Sequence, residues 1–114
     1  MTEALTSLKS ISDDTRIRLL LLLKDREACV CELMSVFSMA QSKLSHHLII
    51  LRDAGFLKDE KRGKWNYYQV NTKALSTVNR ELLVLVSRLL ADGDILDRDT
   101  EALKDVKHRM QICC

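Results

Sequence analysis

No proline interrupts this 114-residue chain, only three glycines loosen it, and five aromatic residues are all it has to fill a core. A chain so poor in breakers is expected to be mostly helical, with few long loops. Long apolar runs are missing too. The longest, Leu19 to Leu23, falls far short of the ~20 residues that span a bilayer. Residues 1 to 12 lack a basic segment followed by an apolar one, so no signal peptide is expected. The expectation is a cytoplasmic protein without a membrane partner, its four cysteines kept as thiols. Neither charge sign dominates, with 18 Lys/Arg against 16 Asp/Glu. No acid–base pair, nucleophile with its base, phosphate-binding glycine loop or catalytic metal triad can be assembled, which argues against an enzyme. The length allows one domain with a small core.

What is present centres on residues 29 to 70. Leu44, Leu48 and Leu51 recur at i, i+4 and i+7 and define one apolar helical stripe. At ~100° per residue the opposite face carries Ser42, His46, Ile49 and Asp53, with Gln41 and Ser45 beside it. A polar face of short side chains at a helix start suits a recognition helix in a DNA major groove. Ala54-Gly55 ends that helix. Val30, Leu33, Met34 and Phe37 mark a companion helix, and Ser38-Met39-Ala40 supplies the turn between the two. Leu57 to Arg62 and Trp65 to Val70, parted by Gly63-Lys64, read as a hairpin whose tip carries Lys61, Arg62 and Lys64 over phosphates. Trp65, Tyr67 and Tyr68 are read as packing rather than base stacking. Residues 41 to 73 hold seven Lys/Arg and three acids, a local net of +4 against +2 for the whole chain. Positive charge is concentrated where DNA would lie.

Around this winged helix-turn-helix the chain supplies scaffold. Ala4, Leu5, Leu8 and Ile11 form a short amphipathic helix able to close over a partner subunit, and Ser12-Asp13-Asp14 caps a central helix over Thr15 to Lys24. Leu75, Val78, Leu82, Leu85 and Leu89 step by three and four, while Leu83, Val86 and Leu90 widen the stripe. A face this wide on so small a domain is expected to serve both the core and a symmetry mate, making a homodimer. Asp92-Gly93-Asp94 breaks that helix, and another is expected from Thr100 to Met110, ahead of Cys113-Cys114. The acids from Asp92 to Glu101 are read as a solvated face. The division is residues 1–92 for DNA binding and dimerisation and 93–114 for a C-terminal helical extension.

Cys29 and Cys31 bring the chemistry. Thiolates are soft ligands that select trivalent arsenic or antimony, Cd(II), Pb(II) or Zn(II), and a cysteine near a helix N-terminus is biased toward thiolate. In a regular helix these two would point ~200° apart. Capture of one ion therefore requires the first turn to unwind or to start later, and an ion that favours the unwound state would release DNA.

Taken in order, Cys29-Val30-Cys31-Glu32-Leu33, Gln41 to Leu48, Leu51 to Leu57, and Arg62-Gly63-Lys64-Trp65 with Tyr68 resemble the ArsR/SmtB family of metal-responsive repressors over residues 5 to 90, its arsenic-sensing branch most. The resemblance implies a dimeric winged helix that represses in the metal-free state and lets go of operator DNA when As(III) or Sb(III) binds. Its genes would be its own and those of arsenic detoxification. The family's zinc-type site on the dimer helix is disfavoured, because residues 73 to 92 contain no histidine. The arsenic branch has a third cysteine where this chain has Met34. The site is then either two-coordinate plus a small ligand or completed by Cys113 or Cys114. Two other readings of the tail pair stay open, a separate soft-ion site and a bystander. A Cd/Pb-responsive or thiol-redox-responsive repressor on the same fold is the alternative. His47 is read as a structural, hydrogen-bonded residue rather than a ligand, and His108 as a solvated tail residue.

Overall fold

The computed structural model describes residues 1–90 and 93–110. Six helices, α1 (Thr2–Ser10), α2 (Asp14–Leu23), α3 (Val30–Phe37), α4 (Gln41–Asp53), α5 (Thr77–Leu89) and α6 (Ile95–Met110), surround three strands, β1 (Ala28–Cys29), β2 (Leu57–Arg62) and β3 (Trp65–Val70). Helices α1 to α5, the turn and the hairpin fall close to where periodicity and turn chemistry put them. The fold is mainly helical with a small antiparallel sheet in the order β1-β3-β2.

Burial explains the arrangement. Leu19 to Leu23 are all buried, which makes α2 the central rod, and Asp13 caps it by accepting a 3.1 Å hydrogen bond from the Arg16 amide. Leu44, Leu48 and Leu51 seat α4 on this rod with no exposed area, so its polar face is turned outward. The turn before α4 depends on Ser38, a non-glycine residue at φ 49°. After α4, Gly55 at φ +90° lets Phe56 N–H reach the Leu51 carbonyl at 3.0 Å and its own N–H reach that of Arg52 at 2.9 Å. A Cβ there would also meet the Asn79 side-chain nitrogen at 3.2 Å. At the wing tip Gly63, at φ +63°, makes a two-residue turn possible between the paired residues Arg62 and Trp65.

Three expectations are corrected. The last helix starts at Ile95, not Thr100; Asp94 accepts the Arg98 amide at 3.0 Å and opens its first turn. Asp99 is not part of a solvated face. It is 4% exposed and takes a bidentate pair from Arg18 at 2.8 and 3.0 Å, and the guanidinium also stacks on Phe37. Finally, β1 is a strand that two residues could not announce in a periodicity. Leu103 and Val106 bury α6 against the body of the domain, and Arg18–Asp99 fixes its start. The Met110 side chain, Asp92 and Cys113-Cys114 lie outside the described residues.

Replacing Asp99 with Ala leaves a half-covered guanidinium with no carboxylate. The expected loss is about 2 kcal/mol, below the roughly 3–5 of a fully buried pair because Arg18 keeps some solvent. A lower urea midpoint at unchanged m-value checks it; an unchanged midpoint would show that α6 is held by its apolar face alone.

Candidate nucleic-acid interface and thiol site

The DNA-facing candidates lie on one side of two elements. Gln41, Ser42 and His46 are exposed and Ser45 half-buried on α4, while Lys61, Arg62 and Lys64 are exposed at the wing. His47 is turned the other way and buried, and desolvation holds its imidazole below the usual histidine range. Its Nδ1 has no hydrogen-bond partner; the nearest carboxylate oxygen, on Asp13, is 3.9 Å away. The burial is that of a structural histidine, but the hydrogen bond expected of it is absent at Nδ1 among the described residues. Tyr68 is buried, and Trp65 and Tyr67 are half-buried.

The wing cations are not equivalent. Lys64 Nζ lies 5.2 Å from the centre of the Trp65 ring. Arg62 folds back instead of reaching outward: Nη1 and Nη2 donate to the two Glu27 oxygens at 2.8 Å each, and Nε donates to Glu60 at 2.8 Å. Those carboxylates raise its pKa, and its field in turn holds the Glu27 carboxyl below the usual range.

At the thiol pair, Cys29 belongs to β1, with φ −87° and ψ 164°, and is also the N-cap of α3. Its residue pairs with Tyr67, and Ala28 with Tyr68, on the middle strand of the wing sheet. The helix therefore begins one residue later, at Val30. The two sulfurs, instead of pointing ~200° apart, lie 3.2 Å from each other. No turn has to unwind for them to meet. With metal–sulfur bonds of about 2.3 Å, sulfurs at 3.2 Å subtend roughly 90°, narrower than a tetrahedron and suited to a pyramidal three-coordinate ion. Among the described residues no group of three or more His, Cys, Asp or Glu gathers to hold an ion.

Glu32 completes the local frame. Its Oε1 accepts the Cys29 amide at 2.9 Å, while its own N–H is donated to the Cys29 sulfur. The same Oε1 accepts Lys107 Nζ at 3.0 Å, so the C-terminal helix is tied to the residue that caps Cys29. Burial pushes the Cys29 thiol up, outweighing the Glu32 amide and the Cys31 sulfur that favour the thiolate. The bias toward thiolate expected from a helix N-terminus is overturned at this residue. Cys31, half-buried, opens into a cavity of about 190 Å³ that also touches Met34, Gln41, Lys64 and Trp65. Thiol, recognition-helix start and wing tip share that space. Sequence reading passed over Glu27, Glu32 and Lys107. Only Glu32 carried a signal, three residues after an N-cap.

A buried leucine rod, a helix seated on it with its polar face out, and a basic hairpin beside it define a winged-helix DNA-binding regulator. Residues 13–59 match the family described as "Bacterial regulatory protein, arsR family". The chain is 38% identical over 112 residues to the arsenic resistance transcriptional regulator ArsR2 of Pseudomonas putida, covering 93% of each chain. It is 37% identical to the arsenical resistance operon repressor of Bacillus subtilis, over 75% of this chain and 83% of that one. Among solved structures, HlyU from Vibrio cholerae superposes with a TM-score of 0.68 at 31% identity, over 80% of this chain and 95% of that one. The chain belongs to the ArsR family of transcriptional regulators, and its fold and relatives are those of regulators, not of enzymes. No described helix is long and apolar enough to cross a membrane.

Cys29 is 1% exposed and Cys31 half-buried, so brief alkylation near neutral pH followed by peptide mapping is expected to label Cys31 about tenfold faster or more. Because its thiol titrates high, Cys29 labelling should keep climbing at pH values where an ordinary thiol has levelled off. Equal rates for the two residues would contradict the burial assigned to Cys29.

Proposed function

We propose that this chain is a homodimeric repressor that holds operator DNA while its thiols are unoccupied and dissociates when As(III) or Sb(III) binds. Cys29 and Cys31 supply two sulfurs, and a tail cysteine, Cys113 or Cys114, supplies the third. The observation that carries the reading is the 3.2 Å sulfur pair at the junction of β1, which is hydrogen-bonded to the wing through Cys29, and α3, which carries Cys31. The names of the relatives in P. putida and B. subtilis point to arsenic resistance.

Arsenous acid enters neutral, and each thiol proton leaves with one arsenic hydroxyl as water. Two thiols give a bis-thiolate that keeps one hydroxyl; a third thiol displaces it. Lys107, bonded to Glu32 at the thiol pair, brings α6 to the site within the same subunit. Cys113 follows Met110 by three residues, a reach of up to about 10 Å in extended chain.

In the dimer, α5 serves two surfaces. Leu83 and Val86 are buried in the domain, whereas Val84, Leu85 and Leu89 on α5 and Leu5 and Leu8 on α1 are exposed. A second copy would cover these side chains. The two recognition helices would then read half-sites about one helical turn apart, with Gln41, Ser42, Ser45 and His46 on base edges and Lys61, Arg62 and Lys64 on phosphates.

The direct test is fluorescence anisotropy of reduced protein on its promoter duplex, titrated with arsenite, Cd(II) and peroxide. Near-stoichiometric release by arsenite, lost in Cys29→Ser/Cys31→Ser and weakened at least ~10-fold in Cys113→Ser/Cys114→Ser, is expected. Release by Cd(II) or peroxide alone would replace the inducer with a divalent ion or an oxidant. Binding by Cd(II) must expel thiol protons, so its affinity should rise about tenfold per pH unit for each thiol below its pKa. Arsenite, whose condensation releases water, should stay nearly flat over the same range. Leu85→Asp is expected to give a monomer by sedimentation that binds operator at least ~100-fold more weakly; a dimer of undiminished affinity would refute the interface.

A further inference from the structure

We infer that Glu27 and Arg62 form a clasp between the thiol-bearing strand and the wing, and that operator phosphate and inducer pull it in opposite directions. The inference rests on the repressor reading above and names the contact that couples its two sites.

Three observations converge. The in-plane edges of the Arg62 guanidinium are occupied by carboxylates, both Glu27 oxygens and one of Glu60, all at 2.8 Å. One face rests on Tyr67, with the guanidinium carbon 4.5 Å from the ring centre. Tyr67 is itself the strand partner of Cys29 on one side and Glu60 on the other. Thiol strand, ring, guanidinium and Glu27 thus form one patch, and Glu27 stands two residues before Cys29 in the chain. A phosphate approaching Arg62 needs the edge that Glu27 holds, because both acids present the same pair of oxygens to the guanidinium fork. While the clasp is closed, the single guanidinium charge is shared between two carboxylates and its hydrogen-bonding edges are taken.

Opening the clasp gives Arg62 to phosphate and unties Glu27 from the wing. An ion that links Cys29 to Cys31 fixes β1, and with it the segment holding Glu27 just before the strand, and so favours the closed arrangement. DNA favours the open one. Opposite preferences for the same two-state contact amount to a coupling free energy between the sites.

The test is a double-mutant cycle of Glu27→Gln and Arg62→Gln, all side chains concerned being part-exposed. Operator affinity is measured against salt concentration, with and without arsenite, after a melting curve confirms each fold. Glu27→Gln is expected to tighten arsenite-free binding about fivefold and to steepen the log–log salt slope by about one phosphate contact. It should also shrink the arsenite-induced loss of affinity at least fivefold, within the usual span of ~5–150-fold for such couplings. Adding Arg62→Gln should abolish the gain. The clasp is overturned if Glu27→Gln leaves affinity and slope unchanged, or if its gain survives without Arg62, which would make it a general effect of deleting negative charge. Its coupling role is overturned if arsenite releases wild type and Glu27→Gln equally. Should arsenite fail to release the wild type, the inducer reading and the coupling fall together, while the arsenite-free arms still decide whether Glu27 and phosphate compete for Arg62.

Discussion

Two residues of strand pairing, Ala28 to Tyr68 and Cys29 to Tyr67, set the terms for the whole functional half of the molecule. They hold Cys29 extended, so helix α3 cannot include it and begins at Val30. That one-residue delay turns a geometrically impossible ligand pair into two sulfurs in contact. The same pairing makes the thiol residue part of the wing sheet, because β3 is the middle strand and β2 lies on its other edge. A change at the sulfurs has no separate path to travel to reach the DNA side; it begins on a strand hydrogen-bonded to the hairpin. Glu32 reinforces the delay by accepting the Cys29 amide, satisfying a donor that the missing helical turn would have left open.

The other half of the molecule is a platform. The leucines of α2 are buried on every side, and α4 is clamped to them by three leucines with no exposed area, so its outward face is fixed by packing rather than by local polarity. Close-packed interiors deform little. On the proposed reading, regulation would act where packing is thin: the β1 approach, the wing and the part-exposed ion pairs around Arg62. The thiol pair lies at the border of these two regimes, Cys29 buried against the platform and Cys31 opening into the cavity shared with Gln41 and Lys64.

Much of this was legible in the sequence for identifiable reasons. The helices of the platform announce themselves because leucine recurs at helical spacing over two turns or more, and the hairpin because Gly63-Lys64 separates two segments of strand-forming length. The outward set on α4 follows from the same periodicity, since fixing one face fixes its opposite. What periodicity could not give is β1, two residues long, or the start of α6 at Ile95, which rests on Asp94 rather than on an apolar rhythm. Asp99 looked solvated because its neighbours are acidic. Its partner Arg18 is 81 positions away, and no local reading reaches that far. The raised titration of the Cys29 thiol was missed for a related reason: helix-terminus chemistry is local, whereas the burial that outweighs it is a property of the assembled core.

Charge counting shows the same limit from the other direction. The window from 41 to 73 carries a net of +4, and it spans α4 and the wing. Yet two of its seven cations are committed within the protein, Arg52 to Asp53 and Asp59 and Arg62 to Glu60 and Glu27. Glu27 lies outside the window in sequence and inside it in space; including it lowers the net from +4 to +3. A binding face whose arginines are held by carboxylates while its wing-tip lysines project outward has two levels of positive potential. On the proposed reading, the lysines would attract a phosphate backbone at long range whatever the state of the thiols. The arginines add their charge only when a partner of equal or better geometry displaces the carboxylates. On the proposed reading, such a surface would keep a basal affinity for DNA and leave a distinct increment open to regulation. The increment at Arg62 lies against the strand that carries Cys29.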